Sequence, residues 1–573
     1  MTDWYSLPLE LWNMIFELLP KSDLVQCQLA CDGWCSVVNK IMYTEIILST
    51  VTQKTTLINT LLQSSYAPGS YLKRFYLNNT PITTTQASWD IQAVVHQLAV
   101  HCPFLESISV AQPSDVLYQQ IVRELGMNRL QHLNKLSYPE TYGEALESYT
   151  RAIVLLRKRI TVIKLSDYVT PSFYKKAYVP LMENVADFVC VETVLFEKRK
   201  ECTPILLDDL IDALPSLKEI KFVLHQPLPL GNYKYACRTL PRPNMRRFSI
   251  NRIAGSDTAF MYIMTKFPNL EHLVMDGASP SQPSLSSYPA SVSRHEVAAY
   301  LSQLKSFRIS GLENMLSLAL LLNQNVLPGN LQIKLCFDMS PETVQGSLDL
   351  DYQQDVNSKK KYVHLFVCKM SRSVQLVPLL KQFGSLAHEF TLWHAGEELG
   401  DEDDLDLVLE HCPNLRHMHL KNYQIDTCQS TNSSLCTLAL VKCFYSSQAL
   451  NTLSQRLPSL YRLDIVKSSR ISSHRDMIAS HIYCSMPETN FKLLQYKWSC
   501  LRKLSDDMYL QLSTSSHPQR HYKINTTSIY PVTSQEYNQH VTNEQVLTIN
   551  LVCSELQCLN VTEGQLSICH TFI

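Results

Sequence analysis

The sequence predicts an α/β chain: a short N-terminal unit of three helices, then an irregular solenoid of helix–turn–strand repeats with a parallel sheet on its concave face and helices outside. Three observations carry this prediction. One apolar frame recurs along most of the chain, a helical pattern precedes most copies of it, and the stretch at 7–20 is too apolar for a helix that hides a single face.

The frame is Pro-x-Leu-x-x-apolar-x-apolar. It reads CPFLESISV at 102–110, LPSLKEIKF at 214–222, FPNLEHLVM at 267–275, CPNLRHMHL at 412–420 and LPSLYRLDI at 457–465. PNMRRFSI at 243–250 fits it. So, with the proline replaced, do SYLKRFYL (70–77), QHLNKLSY (131–138), SQLKSFRI (302–309) and SSLCTLAL (433–440). Weaker copies begin near 158, 183, 328, 360 and 385. The starts between 70 and 458 fall about 28 residues apart, a period that signals a solenoid. Ahead of the frame, WDIQAVVHQLAVHCP sets Ile91, Val94, Val95 and Leu98 at helical spacing, and DDLDLVLEHCP and SSQALNTLSQRLP repeat the arrangement. Ser293 with Glu296 forms a capping box before VAAYLSQL. Proline then ends the helix, and the next residues alternate as a half-buried strand does. Neither element can bury its apolar side alone, whereas stacked copies share one core.

These copies resemble leucine-rich repeats, in the subtype with Cys-Pro before the first leucine, over most of residues 50–470. The chain departs from that family where an Asn or Cys usually follows the last apolar position by three residues. Cys443 fills the place once; Thr80, Ala278 and Tyr423 do not. With spacings from about 20 to 34 residues, that loss predicts an irregular array. Beyond about residue 470 the frame fades, with a candidate return at SELQCLNV (554–561) after a polar segment near 515–545 that reads as loop. The expected domains are 1–48, 49–470 and a degenerate 471–573.

In LPLELWNMIFELLP (7–20), Pro8 suits a first helical position. Leu11, Ile15 and Leu18 make one stripe, and Trp12, Phe16 and Leu19 widen it past one contact face. Pro20 stops the helix, and Ser22 is the expected cap of the next, with Asp23 in its first turn. Leu24, Val25, Cys27, Leu29 and Cys31 supply the second helix's apolar positions; Gly33 is the expected break before Trp34, Val37, Val38 and Ile41. Three helices this short bury little by themselves and need a partner.

Leu7-Pro8-x-Glu10, Ile15, Leu19-Pro20, Asp23-Leu24, Leu29, Cys31 and Trp34 resemble an F-box in order and spacing, over residues 6–48, with Ala30 in place of a larger aliphatic residue. The resemblance implies docking on the Skp-type linker subunit of a Skp–cullin–F-box ubiquitin ligase. By similarity, Leu7, Pro8, Leu11, Ile15, Leu19, Pro20 and Leu24 are carried over as linker contacts, with Trp34 as core that keeps a contact edge.

Composition narrows the rest. With 573 residues at 45% hydrophobic content, the chain can build a large core. Its net charge of −1 gives no field that would steer it to nucleic acid or an anionic membrane. The basic runs EKRK (197–200) and KKK (359–361) read as solvated faces, and MLSLALLL (315–322) is too short to span a bilayer. The 18 cysteines are scattered, often in apolar runs, and no secretory signal is visible. Reduced thiols in the cytosol or nucleus are therefore expected, with no sugar on the Asn432 triplet. Only 14 glycines are present, and no phosphate loop, nucleophile elbow or HExxH motif. The expectation is no enzyme and no cofactor.

Two clusters read as structural. Cys27, Cys31 and Cys35 lie at i, i+4 and i+8 but lack a fourth zinc ligand. The six carboxylates of 397–404 lack the order of a calcium loop and suit a helix N-terminus. Strand alternation points another set to the concave face: Arg74, Tyr76, Lys221, Arg247, His272, Arg308, His417, His419, Lys421 and Arg462. As a face they suit an anionic or polar partner; His417 and His419 lack a third ligand for a metal. The resulting expectation is a non-enzymatic adaptor whose F-box holds the linker, and through it a cullin, while the repeats hold an unknown protein substrate. The alternative is a repeat scaffold acting without ubiquitination.

Overall fold

The computed structural model describes residues 7–64, 67–78, 91–139, 144–166, 181, 183–198, 204–225, 228–229, 240–254, 256–277, 293–313, 316–324, 327, 329–339, 344–354, 361–371, 375–396, 399–400, 403–468, 481–499, 508–516, 519–525, 528–541, 547–563 and 566–572. Thr80, Ala278, Lys359, Lys360 and four of the six carboxylates of 397–404 lie outside them. The chain divides into two compact units, Met1–Ser293 and Arg294–Ile573.

The first unit opens on α1 (Leu9–Glu17), α2 (Lys21–Ala30) and α3 (Asp32–Thr44). Pro8 and Pro20, both with extended ψ, stand just outside α1 and α2 as their N-caps. Ser22 therefore sits inside α2 and donates to Asp23 Oδ1 instead of capping. The break before α3 falls at Cys31, whose backbone is extended, two residues ahead of the expected Gly33, which lies in the first turn of α3. Trp12, Phe16, Leu24, Val37 and Val38 form the helices' common core.

The chain runs directly from α3 into the strand Glu45–Leu48, and the helix Val51–Gln63 follows behind a Thr50–Gln53 capping box. Glu45–Leu48, Arg74–Leu77, Ser107–Val110 and Lys135–Leu136 pair in parallel. A second parallel set is Val162–Ser166, Thr193–Lys198, Glu219–Leu224, Arg247–Ala254 and His272–Gly277. Every full copy of the frame in this unit ends in one of these strands, and its leading apolar residue is buried: Leu72, Leu105, Leu133, Leu217, Met245 and Leu270. Successive copies share one hydrogen-bond device. The carbonyl of the residue before a strand accepts two consecutive amides of the next copy. Lys73 accepts from Glu106 and Ser107, Glu106 from Asn134 and Lys135, Glu192 from Lys218 and Glu219, and Lys218 from Arg246 and Arg247. The device satisfies backbone groups where the turn gives way to the strand.

The strand Glu45–Leu48 lies within the expected domain 1–48 and joins the sheet that follows it. It pairs with Arg74–Leu77, and Leu48 is buried. A chain starting at residue 49 should therefore melt below one starting at residue 44. The expected gap is roughly the 1.5–3 kcal/mol that burying a leucine supplies, and thermal unfolding of the two truncations measures it.

In the second unit the same device recurs. His388 accepts from Arg416 and His417, Arg416 from Cys436 and Thr437, and Cys436 from Tyr461 and Arg462. Asn330–Met339, Lys361–Lys369, Glu389–His394, His417–Lys421, Thr437–Val441 and Arg462–Ser468 pair in parallel. Two features depart from an all-parallel sheet. Val344–Gln353 folds back on Asn330–Met339 as an antiparallel strand and pairs on its other side with Ser306–Glu313, also antiparallel. Its SLDLDY alternation buries Leu348, Leu350 and Tyr352. Beyond residue 470 the parallel sheet continues through Leu493–Ser499 and Cys558–Glu563 and ends in the antiparallel Leu566–Thr571.

Most of the described residues of the polar segment near 515–545 lie in strands and a helix, where a loop was expected. Arg520–Ile524 and Ile529–Val532 form a hairpin, followed by the helix Ser534–Val541. The hairpin belongs to a five-stranded sheet with Met508–Ser513, Leu547–Leu556 and His481–Phe491. Tyr522, Ile524 and Ile529 bury one side of it while the rest stays polar, so mean polarity concealed a strand pattern. Among the described residues no helix is long and apolar enough to cross a membrane.

Candidate functional site

The N-terminal helices expose a dense apolar surface. On α1 and its C-cap, Leu11, Met14, Ile15 and Leu18 stand at i, i+3, i+4 and i+7 and all face outward, with Leu18 86% exposed. Trp12 and Phe16 occupy the opposite side, ring centroids 5.3 Å apart, and Trp34 packs on both at 5.2 and 5.6 Å. Leu9, Val25 and Leu29 add to the exposed surface. Apolar groups this close together and wet mark a contact surface.

The expected linker contacts divide into three groups. Pro8, Leu11, Ile15 and Pro20 are exposed. Leu7, Leu19 and Trp34 are half-buried and pack against the core. Leu24 is in the core itself, 3% exposed. Leu9, Met14, Leu18, Val25 and Leu29 were absent from the expected contacts. Helical spacing from Leu11 and Ile15 marks Met14 and Leu18, whereas α2 is so evenly mixed that only packing reveals Val25 and Leu29.

The strand residues expected to bind a partner all lie on the side of their strands away from the apolar core. In the first unit, Arg74 pairs with Glu45 at 3.1 Å, Tyr76 is half-buried, and Lys221 is exposed between Leu195 and Ser249. Arg247 is exposed between Glu219 and His272. In the second unit, Arg308 is exposed opposite Asp351, and Arg462 pairs with Asp464 at 2.9 Å.

His417 and His419 belong to a larger group, completed by two strands where the frame is weak, Lys361–Lys369 and Glu389–His394. Glu389 is the register partner of both His364 and His417. Its carboxylate accepts from Tyr362 OH at 2.6 Å and lies 3.6 Å from His419 Nε2 and 3.9 Å from His364 Nε2. His364 Nε2 also meets Thr391 Oγ1 at 2.9 Å. One row above, Lys421 Nζ sits 4.0 Å over the Trp393 ring. Burial holds the His364 and His417 imidazoles below the usual histidine range, and for both Glu389 pulls the other way. Lys334 acts on His364, and Arg416 and Arg462 act on His417, in the same direction as burial. Among the described residues no group of three His, Cys, Asp or Glu is arranged to hold a metal ion.

Other polar groups serve the fold. Asp404, from the acidic run, is buried and binds Lys369 Nζ at 2.6 and 2.9 Å, with Tyr423 OH at 3.2 Å. Asp406 accepts the amides of Gln429 and Ser430. Asn432 is buried, its Nδ2 donating to the carbonyls of Leu409 and Cys412 and its Oδ1 accepting from Ser434 and Leu435. Cys443 donates to the Leu420 carbonyl, and Asn251 and Asn422 bridge strand backbones elsewhere. Cys27 packs against the helical core.

An F-box-like family model matches residues 4–49, the span of the three helices and the strand after them. The N-terminal domain is F-box-like. Such domains typically bind Skp-type linkers, and in general they mark adaptors of ubiquitin ligases. No curated protein matches this chain.

Proposed function

We propose that this chain is a substrate-recognition adaptor of a Skp–cullin–F-box ubiquitin ligase, with leucine-rich-repeat-type strands that hold a target protein. The observation that carries this reading is the second apolar face of α1: Leu11, Met14, Ile15 and Leu18 are exposed while the opposite face already fills the domain's own core. A Skp-type linker is the partner that covers it. The recurring frame and the shared one-carbonyl, two-amide device support a repeat array. The chain performs no chemistry in this reading: it raises the target's local concentration beside the ubiquitin-charged enzyme. Affinity purification tests it. A cullin should co-purify with the full-length chain and be lost with the Ile15→Asp variant; a Skp-type linker without a cullin would favour a scaffold instead.

The target is assigned to the open strand faces, with the Glu389 group at their centre in the second unit. His417→Ala with His419→Ala should leave linker affinity unchanged and weaken target capture. Both side chains point away from the core, so the fold should lose less than about 0.5 kcal/mol. Quantitative comparison of co-purified proteins, with a thermal melt as control, reads both effects.

A further inference from the structure

The terminal hairpin places two thiols against each other. Cys558 opens the strand Cys558–Glu563, and Cys569 lies in Leu566–Thr571, which pairs with it antiparallel. Their register partners are Thr571 and Asn560, so the two cysteines are diagonal neighbours on one face of the hairpin. Leu559, Val561 and Ile568 fill the other face. The Sγ atoms are 3.1 Å apart. That is closer than the optimum of about 3.5–4.0 Å between carbon atoms, and about 1 Å beyond a disulfide bond. Among the described residues no second pair of thiols is in hydrogen-bond contact. Cys102, Cys412, Cys484 and Cys553 are buried, whereas Cys569 is exposed and Cys558 half-buried.

We propose that Cys558 and Cys569 form a reversible oxidation site, a dithiol that a hydroperoxide converts to a cross-strand disulfide. Cys569 is the sulfur a hydroperoxide reaches first. Its Sγ attacks the terminal peroxide oxygen, the O–O bond breaks, and the alcohol leaves with the thiol proton, giving a sulfenic acid on Cys569. Cys558 Sγ then attacks Cys569 Sγ and gives up its proton. The S–O bond breaks, and hydroxide leaves with that proton as water. Two thiols lose two electrons and two protons in all, and the hydroperoxide is reduced to alcohol and water. Burial and the neighbouring sulfur push the Cys558 thiol up to about 11, consistent with its acting second, as the resolving thiol. An exposed disulfide of this kind is labile and returns to the dithiol by exchange with a small thiol. The product staples the last strand of the chain to its neighbour. Small deformations suffice, because the strands already pair.

The experiment treats the reduced full-length chain with hydrogen peroxide, blocks remaining thiols with iodoacetamide, and digests it without reductant for mass spectrometry. The expected result is a cross-linked peptide joining Cys558 to Cys569, two hydrogen atoms lighter than its reduced parts, which dithiothreitol removes. Cys569→Ser should abolish it and leave Cys558 alkylated. The substitution lies at an exposed position, so a thermal melt near that of the unmodified chain keeps the comparison valid. Alkylation of both cysteines in the peroxide-treated unmodified chain would overturn the proposal, as would sulfinic acid on Cys569 beside an intact Cys558 thiol. Phenylarsine oxide, which bridges two adjacent thiols with loss of water, gives an independent reading. It should shield both cysteines from iodoacetamide in the unmodified chain and fail to shield Cys558 in Cys569→Ser. Failure to shield either one in the unmodified chain counts against the pair.

Discussion

Ile15→Asp should weaken binding to a Skp-type linker about a thousandfold and leave the chain folded. Ile15 sits on the middle turn of α1, 39% exposed, in the row Leu11, Met14, Ile15 and Leu18. The adjacent Phe16 is 2% exposed in the domain's core. In the free chain, aspartate at position 15 faces water and costs little, within about 0.5 kcal/mol. In the complex it would place an unpaired carboxylate in a dry apolar contact, at a cost of several kcal/mol. A loss of about 4 kcal/mol corresponds to a thousandfold change in dissociation constant. Calorimetric titration with the linker and a thermal melt separate the two effects. Phe16→Asp is the contrasting variant: it should unfold the helices and lose binding for that reason. Near-normal linker affinity in a folded Ile15→Asp chain would sink the docking surface proposed here.

Lys369→Met should cost the second unit about 3–5 kcal/mol of stability. Lys369 ends the strand Lys361–Lys369, and Asp404 lies in the first turn of the helix Asp403–His411. Their side chains are 2% and 8% exposed, and the ammonium meets the carboxylate at 2.6 Å. Methionine fills the space of the lysine stem but takes the ammonium away from the Asp404 carboxylate, which the Tyr423 hydroxyl also meets. A buried carboxylate without a cation is the expensive half of a broken pair. Lys369→Met with Asp404→Leu should recover most of the loss, because no charge is then left in the closed site. The single variant also acquires a pH signature. Its isolated carboxyl favours the neutral form, so the folded-state pKa rises above the ordinary value near 3.9. The deficit is then full above that raised pKa and shrinks as pH falls toward the unfolded value. Urea denaturation at neutral and mildly acidic pH measures both; a single variant as stable as the parent would show that Lys369 contributes packing alone.

The legible part of this fold was the part written locally. Proline after a helical pattern, then alternation, marks where each strand starts, and every full copy of the frame ends in a strand. Even LLQYKWS (493–499) and SLDLDY (347–352), which lack the proline signal, carry the alternation of strands. The site was legible at Leu11 and Ile15, where helical spacing from a recognisable motif puts two residues on one face. It was less legible at Leu24 and Leu18. Both are leucines in apolar surroundings, yet Leu24 is core and Leu18 is 86% exposed. A helix apolar most of the way round does not say which face is inside; the packing of α3 against it does.

The sequence by itself determined the N-terminal three-helix unit, the helix-then-strand order and the inward face of each strand, since period and punctuation depend on neighbours within a few residues. Tertiary structure alone decided which strands meet. Val344–Gln353 turns antiparallel between Ser306–Glu313 and Asn330–Met339, and Glu389 gathers Tyr362, His364 and His419 from other strands. The terminal hairpin brings Cys558 to Cys569. Strand pairing closes loops of tens of residues, and its energy comes from side chains distant in sequence, so no local pattern records the partner.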